Sequence, residues 1–119
     1  MLDKVGQAVI ASKLDNTAMY WNHAAEKMYG WTADEVLGKN IFEIMPFTAT
    51  PNILEQIATS LRSGNSWSGE MSVRHHNGYL IPVLYTIAPL KDSSGKTTGW
   101  VSIAADITER KKAQQEREH

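Results

Sequence analysis

Four histidines, a scatter of carboxylates and no cysteine make up the reactive side chains of this 119-residue sequence. Metal binding is the first chemistry to weigh. His75 and His76 are neighbours in a segment that reads as strand, so their side chains leave on opposite faces and cannot share an ion. His23 falls in a first helical turn and His119 ends the sequence; both read as surface histidines, and no metal is expected. Acid–base chemistry is the second. Asp34-Glu35 lies in a helix-capping context and Asp92 in a turn, and those roles account for the carboxylates without catalysis. No serine occupies a nucleophile motif, and no glycine loop is built to cradle phosphate. The lack of cysteine removes disulfides, thiolate zinc sites, thiol nucleophiles and any cofactor attached through sulfur. The chain is therefore not read as an enzyme.

What remains is a chain that folds and binds. Apolar residues make up 42% of it, enough at this length for one core without staples. A net charge of −1 offers no electrostatic footprint for nucleic acid. Apolar runs such as Ala8 to Ala11 fall far short of the ~18 residues of a membrane span. No basic-then-apolar signal peptide opens the sequence, so no membrane insertion and a cytoplasmic location are expected. Charge collects at the far end, where eight charged residues fall between Asp106 and His119.

The elements that position these residues follow from pattern. Val5 to Leu14 reads as a strand ending at the turn formers Asp15-Asn16-Thr17, and Ala18 to Trp21 as its short partner. Asn22 is an N-cap for a helix through Met28 that Gly30 stops. Thr32 and Glu35 have the spacing of a capping box, and Gly38 keeps that helix short. Pro51 suits a first helical position; Ile53, Leu54, Ile57, Ala58 and Leu61 follow as one apolar stripe ended by Gly64. From Trp67 the period changes to two. Asn77-Gly78 marks a tight hairpin, with Tyr79 to Leu90 as the return strand. A turn at Asp92 to Lys96 precedes a last strand, Trp100 to Ala105. The order predicts an α+β fold: one five-stranded antiparallel sheet, short helices on one face and a C-terminal linker helix.

Four segments, in order, resemble the PAS domain, the sensory module of bacterial signalling proteins. Tyr20-Trp21-Asn22-His23-Ala24-Ala25-Glu26 is similar to that family's strand-to-helix entry, and Tyr29-Gly30-Trp31-Thr32 through Glu35-Val36-Leu37-Gly38-Lys39 to the segment after it. Trp67-Ser68-Gly69-Glu70 with Asn77-Gly78 resembles its hairpin, and Asp106-Ile107-Thr108-Glu109-Arg110-Lys111 its closing signature. The resemblance implies a sensor domain over residues 1–105 and the truncated start of a signalling, coiled-coil linker helix over 106–119. It also implies a function: sensing a small molecule or partner, dimerising, and biasing a C-terminal helix that feeds an output domain in the same chain. A histidine kinase or diguanylate cyclase is the expected output. A ligand-free interaction module that only sets dimer geometry is the alternative.

The family holds ligands between helices and sheet. Candidates facing that space are Tyr20, Met28, Met45, Ile57, Leu61, Trp67, Met71, Val73, Tyr85 and Trp100, with Ile81, Val83 and Ile87 beside them, although such a lining is more often plain core than a cofactor box. Covalent flavin and coumaroyl cofactors both need a cysteine. Haem of the helix-histidine type needs a histidine that Asn52 to Ser63 lacks. Non-covalent flavin or a small apolar ligand remains compatible. If Ile81, Val83, Tyr85 and Ile87 face inward, then Leu80, Leu84, Val101 and Ile103 form an apolar outer face, which is expected to pair in a homodimer together with the linker helix. Asp106, Ile107 and Thr108 join the last strand to that helix and are the expected coupling point. Within the helix, pairs of Lys112 with Glu109 and with Glu116 are expected, too weak alone to order it against backbone entropy.

Overall fold

The computed structural model describes residues 6–45 and 49–118. In chain order the elements are β1 (Gln7–Lys13), β2 (Ala18–Trp21), α1 (His23–Tyr29), α2 (Ala33–Val36), α3 (Ile41–Ile44), α4 (Pro51–Arg62), β3 (Trp67–Arg74), β4 (Leu80–Lys91), β5 (Thr97–Asp106) and α5 (Thr108–Glu118). The five strands form one antiparallel sheet in the order β2-β1-β5-β4-β3. β3, β4 and β5 meander, and β5 then pairs with β1 along its whole length, from Gln7 opposite Ala105 to Lys13 opposite Gly99. The four helices between β2 and β3 are the crossover from one edge of the sheet to the other.

One face of the sheet carries the core. Ala8, Ile10, Trp21, Val83, Tyr85 and Ala104 are buried there against Ala25, Met28, Tyr29 and Val36 from the helices. Alternation places Ile81, Val83, Tyr85 and Ile87 of β4 on this side, as expected from the sequence. β3 solves a packing problem on the same face. Trp67 lays its indole along its own strand over Gly69, where an added Cβ would stand 2.6 Å from the ring. The tryptophan and the glycine two residues on are thus one packing unit.

Caps set the helix starts. Thr32 and Glu35 form the reciprocal capping box, Asn40 accepts from the Phe42 amide and Thr50 from that of Ile53. Asn22 goes further than a cap. Its side-chain oxygen accepts from the amides of Ala25 (2.8 Å) and Val9 (3.0 Å), and its Nδ2 donates to the Gln7 carbonyl (3.1 Å). The residue is 3% exposed. One amide therefore starts α1 and ties it to β1.

The structure departs from the sequence reading in its boundaries. Val5, expected to open the first strand, lies outside the described residues. β4 begins at Leu80 rather than Tyr79, and β5 begins at Thr97, three residues before Trp100. α3 was not foreseen, because four residues carry no readable periodicity. His75 and His76 lie just past β3, and each ring stacks on an aromatic: His75 on Tyr79 (centroids 4.4 Å apart) and His76 on Trp31 (3.7 Å). Gly30, left-handed at φ +76°, leaves no room for a Cβ beside His75, so hairpin and helical turn are closely fitted there.

Replacing Asn22 with alanine removes a cap, worth about 1 kcal/mol, and strands the buried Val9 amide, costing about 1–3 kcal/mol more. Asn22→Ala is expected to lower unfolding stability by about 2–4 kcal/mol in denaturant titration. A loss under about 0.5 kcal/mol would show that the junction does not depend on this side chain.

Candidate functional site

Between the sheet and the helices lies a cavity of about 100 Å³. Its floor is laid by Ile10 and Ser12 of β1, Trp100 and Ser102 of β5, Tyr85 and Ile87 of β4, and Met71 and Val73 of β3. Tyr29, at the end of α1, and Ile41, Phe42 and Met45, in and after α3, close it from the helical side. The more exposed Asn16 and Arg74 complete the lining. The Arg74 guanidinium donates to the Gly78 carbonyl at 2.8 Å, which commits it to the hairpin turn.

Of the ten residues that sequence places at a pocket, Met45, Met71, Val73, Tyr85 and Trp100 line this cavity and five lie elsewhere. Tyr20 pairs with Ala11, which pairs with Val101, so it stands on the opposite face of the sheet. The cause is a register shift between Ala11 and Ser12: strict alternation from the buried Ala18 would have turned Tyr20 inward. Met28 is buried but borders a different groove. Ile57 and Leu61 belong to α4, which packs on β3 and β4 away from the cavity. Trp67 covers Gly69 and donates its Nε1 to Gln56 of α4 at 3.1 Å.

Sequence reasoning found Tyr85 but missed the hydroxyls beside it, those of Ser12, Ser102 and Tyr29. All four residues are less than a tenth exposed and line the cavity. Burial pushes the Tyr29 phenol up, with Tyr85 adding to the shift. Burial also raises Tyr85, opposed in part by hydrogen bonding from Ser102. Both phenols are therefore neutral at physiological pH. The signal was available in β5: with Val101 and Ile103 outward, alternation turns Ser102 inward. Among the described residues, no group of three or more histidine, aspartate or glutamate side chains is arranged to hold a metal ion.

The second feature is the exit from the sheet. Asp106 ends β5, and its carboxylate accepts from the Thr108 amide (2.8 Å) and hydroxyl (2.6 Å). Between them Ile107 is 6% exposed, and its amide donates to the Pro82 carbonyl of β4 at 3.0 Å. The first turn of α5 is then held by a residue that the sequence reading had not linked to it. Glu70 of β3 accepts from Arg110 (3.0 Å) and Lys111 (2.9 Å), one cation on each oxygen. That hydrogen bond and the charge of Lys111, aided by Arg110, hold the Glu70 carboxyl below the usual glutamate range. Among the described residues, the α5 cations in ion pairs are Arg110 and Lys111, not the expected Lys112. Beside this exit a groove of about 480 Å³ runs past Met28, Leu80, Asp106 and Thr108.

The face of the sheet away from the helices is apolar in its centre. Leu84 is 39% and Ile103 37% exposed, Leu80 is more exposed still, and Val101 is half-buried. Glu70 sits directly opposite Leu84 in the β3–β4 register, so α5 leaves the domain over this same surface.

Comparison with known proteins agrees with this architecture. The chain is 30% identical over 113 residues to "Probable diguanylate cyclase DgcE" of Escherichia coli strain K12, a match covering 93% of this chain and 10% of that protein. The chain thus spans about a tenth of the curated relatives it matches. Its fold superimposes on the PAS domain of a Colwellia psychrerythraea protein with a TM-score of 0.77 at 22% identity, covering 89% of this chain and 90% of that one. A blue-light activated histidine kinase of Erythrobacter litoralis gives 0.73 at 21% identity, covering 86% of this chain and 33% of the kinase. No described helix is long and apolar enough to cross a membrane. The PAS domain family model matches residues 7–109, and with the sheet order, the crossover helices and the closing Asp106-Ile107-Thr108 turn the chain belongs to the PAS domain family.

Proposed function

We propose that this chain is the sensory and dimerisation module, residues 1–105, of a cytoplasmic, multidomain bacterial signalling protein, with residues 106–119 opening the linker to a diguanylate cyclase or histidine kinase output domain. It has no catalytic step of its own in this reading. The observation that carries it is a shared wall. β4 and β5 line the cavity on one face through Tyr85, Ile87, Trp100 and Ser102, and the same two strands fasten the exit through Pro82, Asp106 and Ile107. A molecule that changes the spacing of β4 and β5 therefore acts on the base of α5 directly. The mechanism is a population shift between two settings of that base, and a tenfold bias in output needs only ~1.4 kcal/mol of differential binding.

The small cavity favours a second reading, a ligand-free module that only sets dimer geometry. Size also bears on the cofactor. Ligand pockets usually enclose about 300–1,000 Å³, so the present cavity suits a compact molecule better than a three-ring flavin. In either reading the outer face, with Leu80, Leu84, Val101 and Ile103, supports a homodimer in which two sheets and two exit helices lie together.

In the full-length protein, Asp106→Ala is expected to uncouple input from output while the domain stays folded; unchanged signalling would refute the coupling role of this turn. The Glu70 clasp has a defined pH behaviour. A carboxyl held low stabilises the folded contact above its ordinary range and loses that contribution as pH falls through the folded value. Amide protection in α5 is expected to be highest at neutral pH and low salt, and to fall below about pH 4. Glu70→Gln should abolish that dependence, and identical exchange in the two proteins would show that the clasp does not hold the helix. Sedimentation should report a dimer that Ile103→Glu converts to monomer; a wild-type monomer across micromolar concentrations would remove the sheet-face interface.

A further inference from the structure

The cavity's chemistry narrows what it can hold, given the sensory reading above, on which this inference rests. Two of its hydroxyls are neighbours: hydrogen bonding from Ser102 partly offsets the effect of burial on the Tyr85 phenol. The other two, Ser12 and Tyr29, belong to side chains 7% and 4% exposed, and no hydrogen bond joins either hydroxyl to another described residue. Neither is a sealed, unsatisfied group, and both side chains line the cavity. A buried hydroxyl without a partner costs free energy that a bound polar atom would recover. The four groups share one cavity: Ser12 lies diagonally across from Ser102 in the β1–β5 register, and Tyr29 and Tyr85 belong to the same lining.

The rest of the lining excludes alternatives. Among the described lining residues there is no carboxylate, and the one cation, Arg74, is exposed at the rim with an N–H already on the Gly78 carbonyl, so a buried cation finds no counter-charge and a buried anion only a solvent-facing guanidinium. Met71, Ile87 and Trp100 offer flat, polarisable surface to a ring. The volume, about 100 Å³, is about two-thirds that of an engineered apolar cavity of roughly 150 Å³ that binds benzene, so a single ring is the upper limit of what it holds.

We propose that this cavity binds an uncharged, single-ring aromatic molecule bearing a hydrogen-bonding substituent, with the ring against Met71, Ile87 and Trp100 and the polar group on the hydroxyls of Ser12 and Tyr29. Charged aromatics are rejected because burying their charge costs more than a solvent-facing guanidinium at the rim returns, and polycyclic cofactors for want of space.

Calorimetric titration of the protein at pH 7 with phenol, toluene, benzoate and flavin mononucleotide tests this. Phenol is expected to bind about tenfold more tightly than toluene, the worth of one satisfied buried hydrogen bond. Benzoate and the flavin should give no saturable heat. Tyr29→Phe and Ser12→Ala should each weaken phenol severalfold and leave toluene unchanged, toluene binding serving as the control that each variant is folded. Equal affinities for phenol and toluene, or benzoate binding as well as phenol, overturn the assignment of the polar group. Flavin binding without phenol binding overturns the ligand class and leaves the sensory reading standing. No binding of any probe, with the protein shown to be folded by its unfolding transition, overturns both and favours the ligand-free module.

Discussion

Everything in this domain hangs on a single buried amide. Asn22 stands where a strand of the sheet gives way to the helical layer, and its three side-chain hydrogen bonds reach α1, Val9 and Gln7. A buried amide is tolerable only when its lone pairs and protons are met, and met in one geometry. That requirement fixes the angle at which the chain leaves β2 and the position of α1 over β1. It thereby fixes where Tyr29 lands, and Tyr29 is one wall of the cavity. The hairpin beyond β3 supports the other end of α1, where the imidazoles of His75 and His76 stack on Tyr79 and Trp31. The helical layer is thus pinned at both ends of α1 before any other helix is considered.

How much of this was legible in the sequence depended on the length over which a pattern could run. β3 to β5 carry period-two alternation over eight or more residues each, and their faces could be assigned from Ile81, Val83, Tyr85 and Ile87 alone. The helix starts at Asn22, Thr32 and Pro51 were legible for a different reason: the two caps have partners three residues on, at Ala25 and Glu35, and the proline's fixed φ suits a first helical position. Tyr20 was misplaced because one register shift in a four-residue strand reverses every side chain beyond it. Trp67 was placed on the correct face and still missed the cavity, because its long side chain turned back along the strand onto Gly69. The clasp from Glu70 to Arg110 and Lys111 spans 40 residues, and no local pattern announces a contact of that reach.

The two halves of the site differ in kind. The heart of the cavity is built from buried, neutral side chains, with Arg74 only at its rim, while the exit is built from charge: a carboxylate cap at Asp106 and a carboxylate clasp at Glu70. Burial makes the first insensitive to salt and pH over the ordinary range, whereas exposure makes the second responsive to both. Ile107 is the joint between them, a buried aliphatic residue whose backbone is bonded to β4 and whose carbonyl receives the first helical bond of α5, from Lys111.

Along β5 successive residues alternate between chamber and exterior: Trp100 and Ser102 look in, Val101 and Ile103 look out. The partition between the two environments is one polypeptide backbone thick. No relay across the molecule is required for one side to feel the other, and no insulation between them is available. Thermodynamic reciprocity then applies in its simplest form. Were a ligand to fill the chamber and a second copy to press on the exterior, each would change the other's affinity by one and the same factor, and apparent sensitivity would become a function of how crowded the protein is with its own kind.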